Sequence, residues 1–326
     1  MGTENPVNFA YMGRSFDDLT SGDSSGAFSE CNSDRSGEFP MASSQSRRLL
    51  ISCASDNSDE LIQQLVLDLE SCSIDEQKQA AMEIRLLAKN KPENRLRIAK
   101  AGAVRPLISL ISCTDPQLQE YGLELSCPEL RRRRRNAACA LLRLSQMEEN
   151  KIAIGRSGSI PLLVNLLGNG GFRGKKDAST ALYSLCSVKE NKIRAVKAGI
   201  MRPLVELMAD FGSNMVDKSA FVLSVLVSMS EARTALVDEG GIPVLVELVE
   251  DGTQRQKEIA AVILLQICEE SVLYRTMVAR EGAIPPLVAL SQSGTNRAKQ
   301  KAEKLIELLR QPRSGNYAAT TSNVSV

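Results

Sequence analysis

The residues able to do chemistry set the first limits. No histidine occurs in the 326-residue chain, which removes the commonest general base near neutral pH, the Ser-His-Asp triad and metal sites built on imidazole. Eight cysteines stand at 31, 53, 72, 113, 127, 139, 186 and 268 without a CxxC pair. Most lie among apolar residues, where a reduced thiol behaves as a small buried hydrophobe, and the implied compartment is cytoplasm, nucleus or both. The carboxylate pairs Asp17-Asp18, Glu148-Glu149 and Glu269-Glu270 have no pocket-forming neighbours in sequence and suit solvated turns. The stretch NGGFRGK at 169–175 resembles a phosphate loop only in composition. Its Gly170 and Gly174 are four apart and Lys175 is followed by Lys176, so the GxxxxGK[ST] spacing fails and a turn between helices is expected. No catalytic residue, cofactor site or metal site follows from these patterns.

Charge is unevenly placed. The formal net charge is +1, yet residues 1–46 hold seven acids and two arginines, leaving a mild basic excess for the rest. That excess is too dilute to make nucleic acid the expected partner. Ten serines precede Arg47 and offer phosphoacceptor positions. Arg131 to Arg135 form the densest basic run. It suits a nuclear import signal or a patch for an acidic partner. Alternatively, Arg134 and Arg135 fill helix-start positions held elsewhere by Lys175 and Lys176, with Arg131–Arg133 in a solvated loop.

The elements that must position these residues follow from a repeat. Blocks KQAAMEIRLLAK at Lys78, RRNAACALLRLS at Arg134, KKDASTALYSLC at Lys175, DKSAFVLSVLVS at Asp217, KEIAAVILLQIC at Lys257 and KQKAEKLIELLR at Lys299 recur, the last four intervals being 41, 42, 40 and 42 residues. A second register agrees: Gly102, Gly158, Gly199, Gly240 and Gly282 each precede an apolar helix start, and the last three intervals are 41, 41 and 42. A helical period in the forties points to armadillo or HEAT units. The absence of Trp and an aromatic content of 4% suit closely packed helices better than sheets. The expected fold is therefore all-α, an armadillo-repeat right-handed superhelical solenoid over residues 47–312. Residues 1–46, rich in Ser, Gly and acids, and residues 313–326 are expected to be disordered tails. No apolar run is long enough to span a membrane, and the start of the chain lacks a signal peptide's apolar core.

Within a unit, a short helix such as ENKIRAVKA ends at Gly199, a second is expected over about 203–209, and a third over about 217–229. The fourth residue of each third-helix block is Ala81, Ala137, Ala178, Ala220, Ala260 or Ala302, small enough to let neighbouring helices approach. One interval breaks the rule. Gly102 and Gly158 are 56 residues apart, so the chain carries either an insertion of about 15 residues or a loss of about 26. Pro128 opposes a continuous helix from Gln119 into Arg134. The simplest repair extrudes 113–133 as a loop; a misstacked half-repeat or a short surface helix at 116–125 are alternatives.

In a stack of this kind the third helices line the concave face, and their outward side chains form a ladder. By register, the candidate protein-binding groove comprises Asn136, Cys139 and Arg143, then Lys176, Thr180, Tyr183 and Ser184, then Phe221 and Val225, and finally Gln266 and Lys299. Phe221 and Val225, four apart, form an apolar peptide anchor if exposed. The partners expected are proteins or extended peptides.

The wording as well as the period carries a family resemblance. Segments SIDEQKQAAMEIRLLAKNKPENR (73–95), NAACALLRLS (136–145), EENKIAIGRSG (148–158) and GGIPVLVELVEDGTQRQKEIAAVILLQIC (240–268) resemble the C-terminal armadillo region of plant U-box/armadillo ubiquitin ligases and their U-box-less relatives. The similarity covers about residues 45–312. It implies that the repeats bind a substrate or receptor-type partner in the ubiquitin pathway, while a U-box recruits the E2 enzyme. Residues 1–45 have neither the length nor the Cys-Pro features of a U-box, so the resemblance implies a noncatalytic scaffold or adaptor, with substrate recognition for ubiquitination as the alternative. It also implies that relatives carry a complete additional repeat where this chain has its fault.

Overall fold

The computed structural model describes residues 58–112 and 128–311. The two tails and the segment 113–127 lie outside those residues. Among the described residues every regular element is a helix, and they divide into two compact units, one ending at Ile200 and the other starting at Met201.

The first unit holds α1 (Ser58–Leu69), α2 (Ile74–Asn90), α3 (Pro92–Lys100), α4 (Val104–Ser112), α5 (Pro128–Leu144), α6 (Glu148–Arg156), α7 (Ser159–Asn169), α8 (Phe172–Leu185) and α9 (Lys189–Lys197). Third helices α2, α5 and α8 pack in succession, as do second helices α4 and α7. The second unit holds α10 (Met201–Ala209), α11 (Val216–Leu226), α12 (Ser230–Asp238), α13 (Gly241–Asp251), α14 (Gln254–Glu269), α15 (Val272–Arg280), α16 (Ile284–Ser293) and α17 (Asn296–Arg310). There α11, α14 and α17 form the third-helix layer and α10, α13 and α16 the second.

The local chemistry explains these boundaries. The five register glycines all adopt left-handed backbone, with φ between 74° and 94°. A Cβ is disfavoured in that region, so glycine ends the first helix and turns the chain into the second. Thr253 caps α14 in a capping box with Gln256, and Thr295 caps α17 by accepting the Ala298 N–H. The recurrent alanines, from Ala81 to Ala302, are all fully or almost fully buried. A methyl is all the room that neighbouring third helices leave.

At the register fault the structure differs from the expected loop. Residues 128–133 are helical, and α5 begins at Pro128. A proline in the first turn forfeits no intrahelical bond, so the residue that opposes a helix running through it instead starts one. Arg131–Arg135 therefore lie wholly within α5. The NGGFRGK stretch is corrected likewise: Gly171 is the N-cap of α8, and Phe172 to Lys175 form its first turn.

Adjacent repeats are joined by a polar ladder that the apolar pattern did not show. Asn150 Nδ2 donates to the Leu144 carbonyl at 3.0 Å, which ends the preceding third helix, and to the Arg95 carbonyl at 3.1 Å in the previous first helix. Asn191 repeats the pattern with Leu185 at 3.0 Å and Lys151 at 2.9 Å. Asn94 opens the series by donating to the Leu87 carbonyl at 3.3 Å. All three are buried, Asn191 completely. Each satisfies an amide that would otherwise carry a desolvation cost, together with a helix-end carbonyl. In the second unit arginine takes the same place. Arg233 donates to the Val227 carbonyl at 2.9 Å and pairs with Glu270, and Arg275 donates to the Cys268 carbonyl at 2.7 Å.

Gly155 makes the ladder possible, because a Cβ there would come within 1.8 Å of Asn191 Oδ1. Gly155→Ala is therefore expected to lower stability in urea unfolding by roughly 1–3 kcal/mol despite alanine's better helix propensity. Gly171→Ala, which meets open space, serves as the near-neutral control.

Candidate functional site

The third helices place the candidate groove residues in two separate sets. In the first unit, Asn136, Cys139 and Arg143 lie on α5, and Lys176, Thr180, Tyr183 and Ser184 on α8. In the second, Phe221 and Val225 lie on α11, Gln266 on α14 and Lys299 on α17.

Burial separates packing residues from those that can face a partner. Asn136 and Arg143 are only 6% and 5% exposed. Asn136 accepts from Arg85 Nη1 at 3.2 Å and donates to the Lys78 carbonyl at 3.5 Å, so it joins α5 to α2. Cys139 is fully buried and disulfide-bonded, so it is neither a groove residue nor one of the reduced thiols expected of most of the cysteines. Cys186 and Cys268 are free and buried, and Cys72 is free and exposed. Burial pushes the Cys186 and Cys268 thiols up to about 12, so neither is a thiolate nucleophile near neutral pH. Ser184 Oγ donates to the Ser145 carbonyl at 2.6 Å, a tie across the repeat boundary.

Phe221 is a second correction. It is 7% exposed, with the Arg255 guanidinium 4.8 Å from its ring centroid. The apolar pair four apart is thus divided: Phe221 is packed beneath the cation and Val225 remains half-buried. Sequence spacing could not reveal that a neighbouring repeat would supply the cover.

The residues left half-exposed are Lys176, Thr180, Tyr183, Ser184, Val225, Gln266 and Lys299. Lys176 lies 4.2 Å from the centre of the Phe172 ring, which is itself half exposed. Partial burial lowers the Lys176 pKa, opposed by the nearby Asp177 carboxylate, and burial raises that of Tyr183. Gln266 Oε1 is buried without a hydrogen-bond partner.

Two of the first unit's third helices, α5 and α8, are also cationic, while α2 carries three basic and three acidic side chains. Helices α5 and α8 together carry nine basic and two acidic side chains, whereas α11 and α14 are balanced. Arg133 Nη1 donates to Gln77 Oε1 at 2.6 Å across the α2–α5 contact. Arg95 is held below the usual guanidinium range by burial and by the like charge of Arg143. At the corresponding edge of the second unit, Glu258 accepts from Thr295 Oγ1 at 2.6 Å and pairs with Arg297 at 3.4 Å. Among the described residues, no group of three or more His, Cys, Asp or Glu could hold a metal ion, and no helix is long and apolar enough to cross a membrane.

Phe221→Ala is expected to cost about 3–5 kcal/mol in equilibrium unfolding, as for a core aromatic, and Val225→Ala about 1 kcal/mol. Equal, small losses would show that Phe221 is not packed.

Comparison with known proteins agrees with this geometry. The plant U-box protein ARM repeat region matches residues 176–322, and the armadillo/beta-catenin-like repeat matches 91–121 and 147–187. U-box domain-containing protein 12 of Oryza sativa subsp. japonica is 41% identical over 86 residues, 26% of this chain and 14% of that protein. E3 ubiquitin-protein ligase SPL11 of the same organism is 41% identical over 91 residues, 26% and 12% of the two chains. The matched stretches thus span a small part of those relatives' length. Among solved structures, a designed armadillo repeat protein, YIII(Dq)4CqI, superposes with a TM-score of 0.64 at 21% identity, over 76% of this chain and 99% of the other. A related design solved in complex with peptide (KR)4 gives 0.62 at 21% identity, over 76% and 99%. The chain therefore carries an armadillo-repeat region similar to that of plant U-box proteins.

Proposed function

We propose that this chain is a protein-protein interaction scaffold that takes extended peptide segments along the third-helix face of each of its two units. The observation that carries this reading is the repeated layer of third helices, which presents half-exposed side chains at successive turns: Lys176, Thr180 and Tyr183 on α8, and Val225, Gln266 and Lys299 in the second unit. An extended peptide advances about 3.3 Å per residue. Stacked helices 8–10 Å apart therefore meet every third residue or so, which suits recognition by a ladder rather than a closed pocket. The fold's use in a designed protein complexed with peptide (KR)4 supports the mode of binding, but not its sequence preference.

A second reading is favoured by the matched plant U-box repeat region and by the E3 ligase name of one relative. In it the face recognises substrates or receptor-type partners for ubiquitination, in the cytoplasm, the nucleus or both. This role asks of the described residues only that they bind protein.

Selection of random linear peptides against the full chain tests the first reading. Enriched peptides are expected to lose at least tenfold in affinity, roughly 1.4 kcal/mol, with Tyr183→Ala or Gln266→Ala. Loss caused instead by changes on the opposite surface, such as Ile152→Ala, with the ladder variants neutral, would refute it. Reconstitution with E1, E2 and ubiquitin addresses the second reading: ubiquitination of a bound peptide-tagged protein above the E2-only level would support direct transfer, and none would limit the chain to binding.

A further inference from the structure

The strongest unexplained feature is the basic run within α5. The repeat register places Lys78 on α2, Arg134 on α5 and Lys175 on α8 at equivalent positions, with Gln79, Arg135 and Lys176 beside them; the step from Arg134 to Lys175 is 41 residues. Because α2 packs on α5 and α5 on α8, this register forms one row along the edge of the layer. Lys78, Arg134, Arg135, Lys175 and Lys176 are all half-buried there and Arg132 is exposed; Lys78 is paired with Asp75 at 2.6 Å, and Arg132, Arg134 and Arg135 have partners of their own, so the row's charge is partly offset within the fold. The equivalent edge in the second unit mixes signs on α11 and α14, with Asp217 and Lys218, then Lys257 and Glu258, and turns basic again at Lys299 on α17.

An occupant exists in the same chain. Residues 1–46 carry seven acids against two arginines. The cationic helices keep a clear excess even if Asp115, Glu120 and Glu124 of the connecting segment are set against them. Reach is sufficient. Residues 47–57 separate the acidic segment from α1, and extended chain covers about 3.3–3.6 Å per residue, so this link spans up to roughly 40 Å. Helix α1 packs on α2, and at 8–10 Å per helix pair the row through α5 to α8 lies within about 30 Å. Tethering also raises the effective concentration of a weak charged segment into the range where it competes with partners.

We propose that residues 1–46 dock on the cationic row of α2, α5 and α8 and act as a tethered competitor for acidic partner segments. This rests on the third-helix face being a binding surface and adds its preferred charge and its intramolecular occupant. Attraction of this kind is long-range and salt-screened, and the ten serines allow phosphorylation to strengthen it.

The test uses the full chain and a tail variant, Asp17→Asn, Asp18→Asn, Asp23→Asn, Glu30→Gln and Asp34→Asn, whose substitutions lie outside the described residues. Carbodiimide coupling is expected to join acids of residues 1–46 to Lys175 or Lys176 within one molecule at low salt. The yield should fall at least tenfold in high salt and in the variant. A fluorescent synthetic peptide of residues 1–46 should bind the variant at least tenfold more tightly than the native chain, because the tethered copy no longer competes. Lys175→Glu with Lys176→Glu should abolish that binding while leaving the unfolding midpoint near that of the parent. Cross-links only between differently isotope-labelled copies, no cross-links, or equal peptide affinity for both chains would overturn the proposal. A random peptide that still binds in a Tyr183-dependent manner under those outcomes would keep the scaffold reading separate from this one.

Discussion

The ladder of buried asparagine amides is the interaction on which the repeat architecture depends. A helix end leaves carbonyls without intrahelical donors, and a repeat boundary buries some of them. Asn150 and Asn191 resolve both demands together, each donating to the end of the preceding repeat's third helix and to that repeat's first helix. Apolar contacts supply most of the stabilising burial, but they tolerate sliding and rotation. Two hydrogen bonds with fixed directions set the register of one repeat against the next. Arg233 and Arg275 preserve the bond to the end of the preceding third helix with a longer side chain, and Arg233 adds a charge partner in Glu270.

That constraint leaves the third helices free to vary in what they present. Alanines are retained where neighbouring helices approach, while the row at their edge differs between the units, from strongly basic on α5 and α8 to balanced on α11 and α14. The cost of collecting like charge is visible at Arg95, whose guanidinium is disfavoured by burial and by Arg143. A scaffold that separates its packing residues from its facing residues can change partners without changing its fold.

Periodicity made the architecture legible. The two registers located the third helices and the left-handed glycines because both are local consequences of helix length and turn geometry. It was less informative wherever the answer lay in a neighbouring repeat. Phe221 has the spacing of an exposed anchor, yet Arg255, one repeat away, covers it. Asn136 stands on the expected helix but points its amide into the α2 contact. The asparagine ladder recurs visibly as ENR at 93–95 and ENK at 149–151 and 190–192, and EAR at 231–233 hides its continuity by placing Ala232 at the asparagine position and the donor one residue later, at Arg233. At the fault, Pro128 opposes a helix running through it, but spacing alone does not show that it starts one, so residues 128–133 are helix where a loop is expected.

The central claim is that the amide ladder, rather than apolar contact alone, couples one repeat to the next. Native-state hydrogen exchange on Asn191→Ala tests it directly. The account predicts that amides of α6 and α9 lose protection together, by roughly tenfold or more, since a deleted buried bond pair costs about 1–3 kcal/mol. Unchanged protection in α6, with loss confined to the end of α9, would show that neighbouring repeats are held without the ladder and would contradict it.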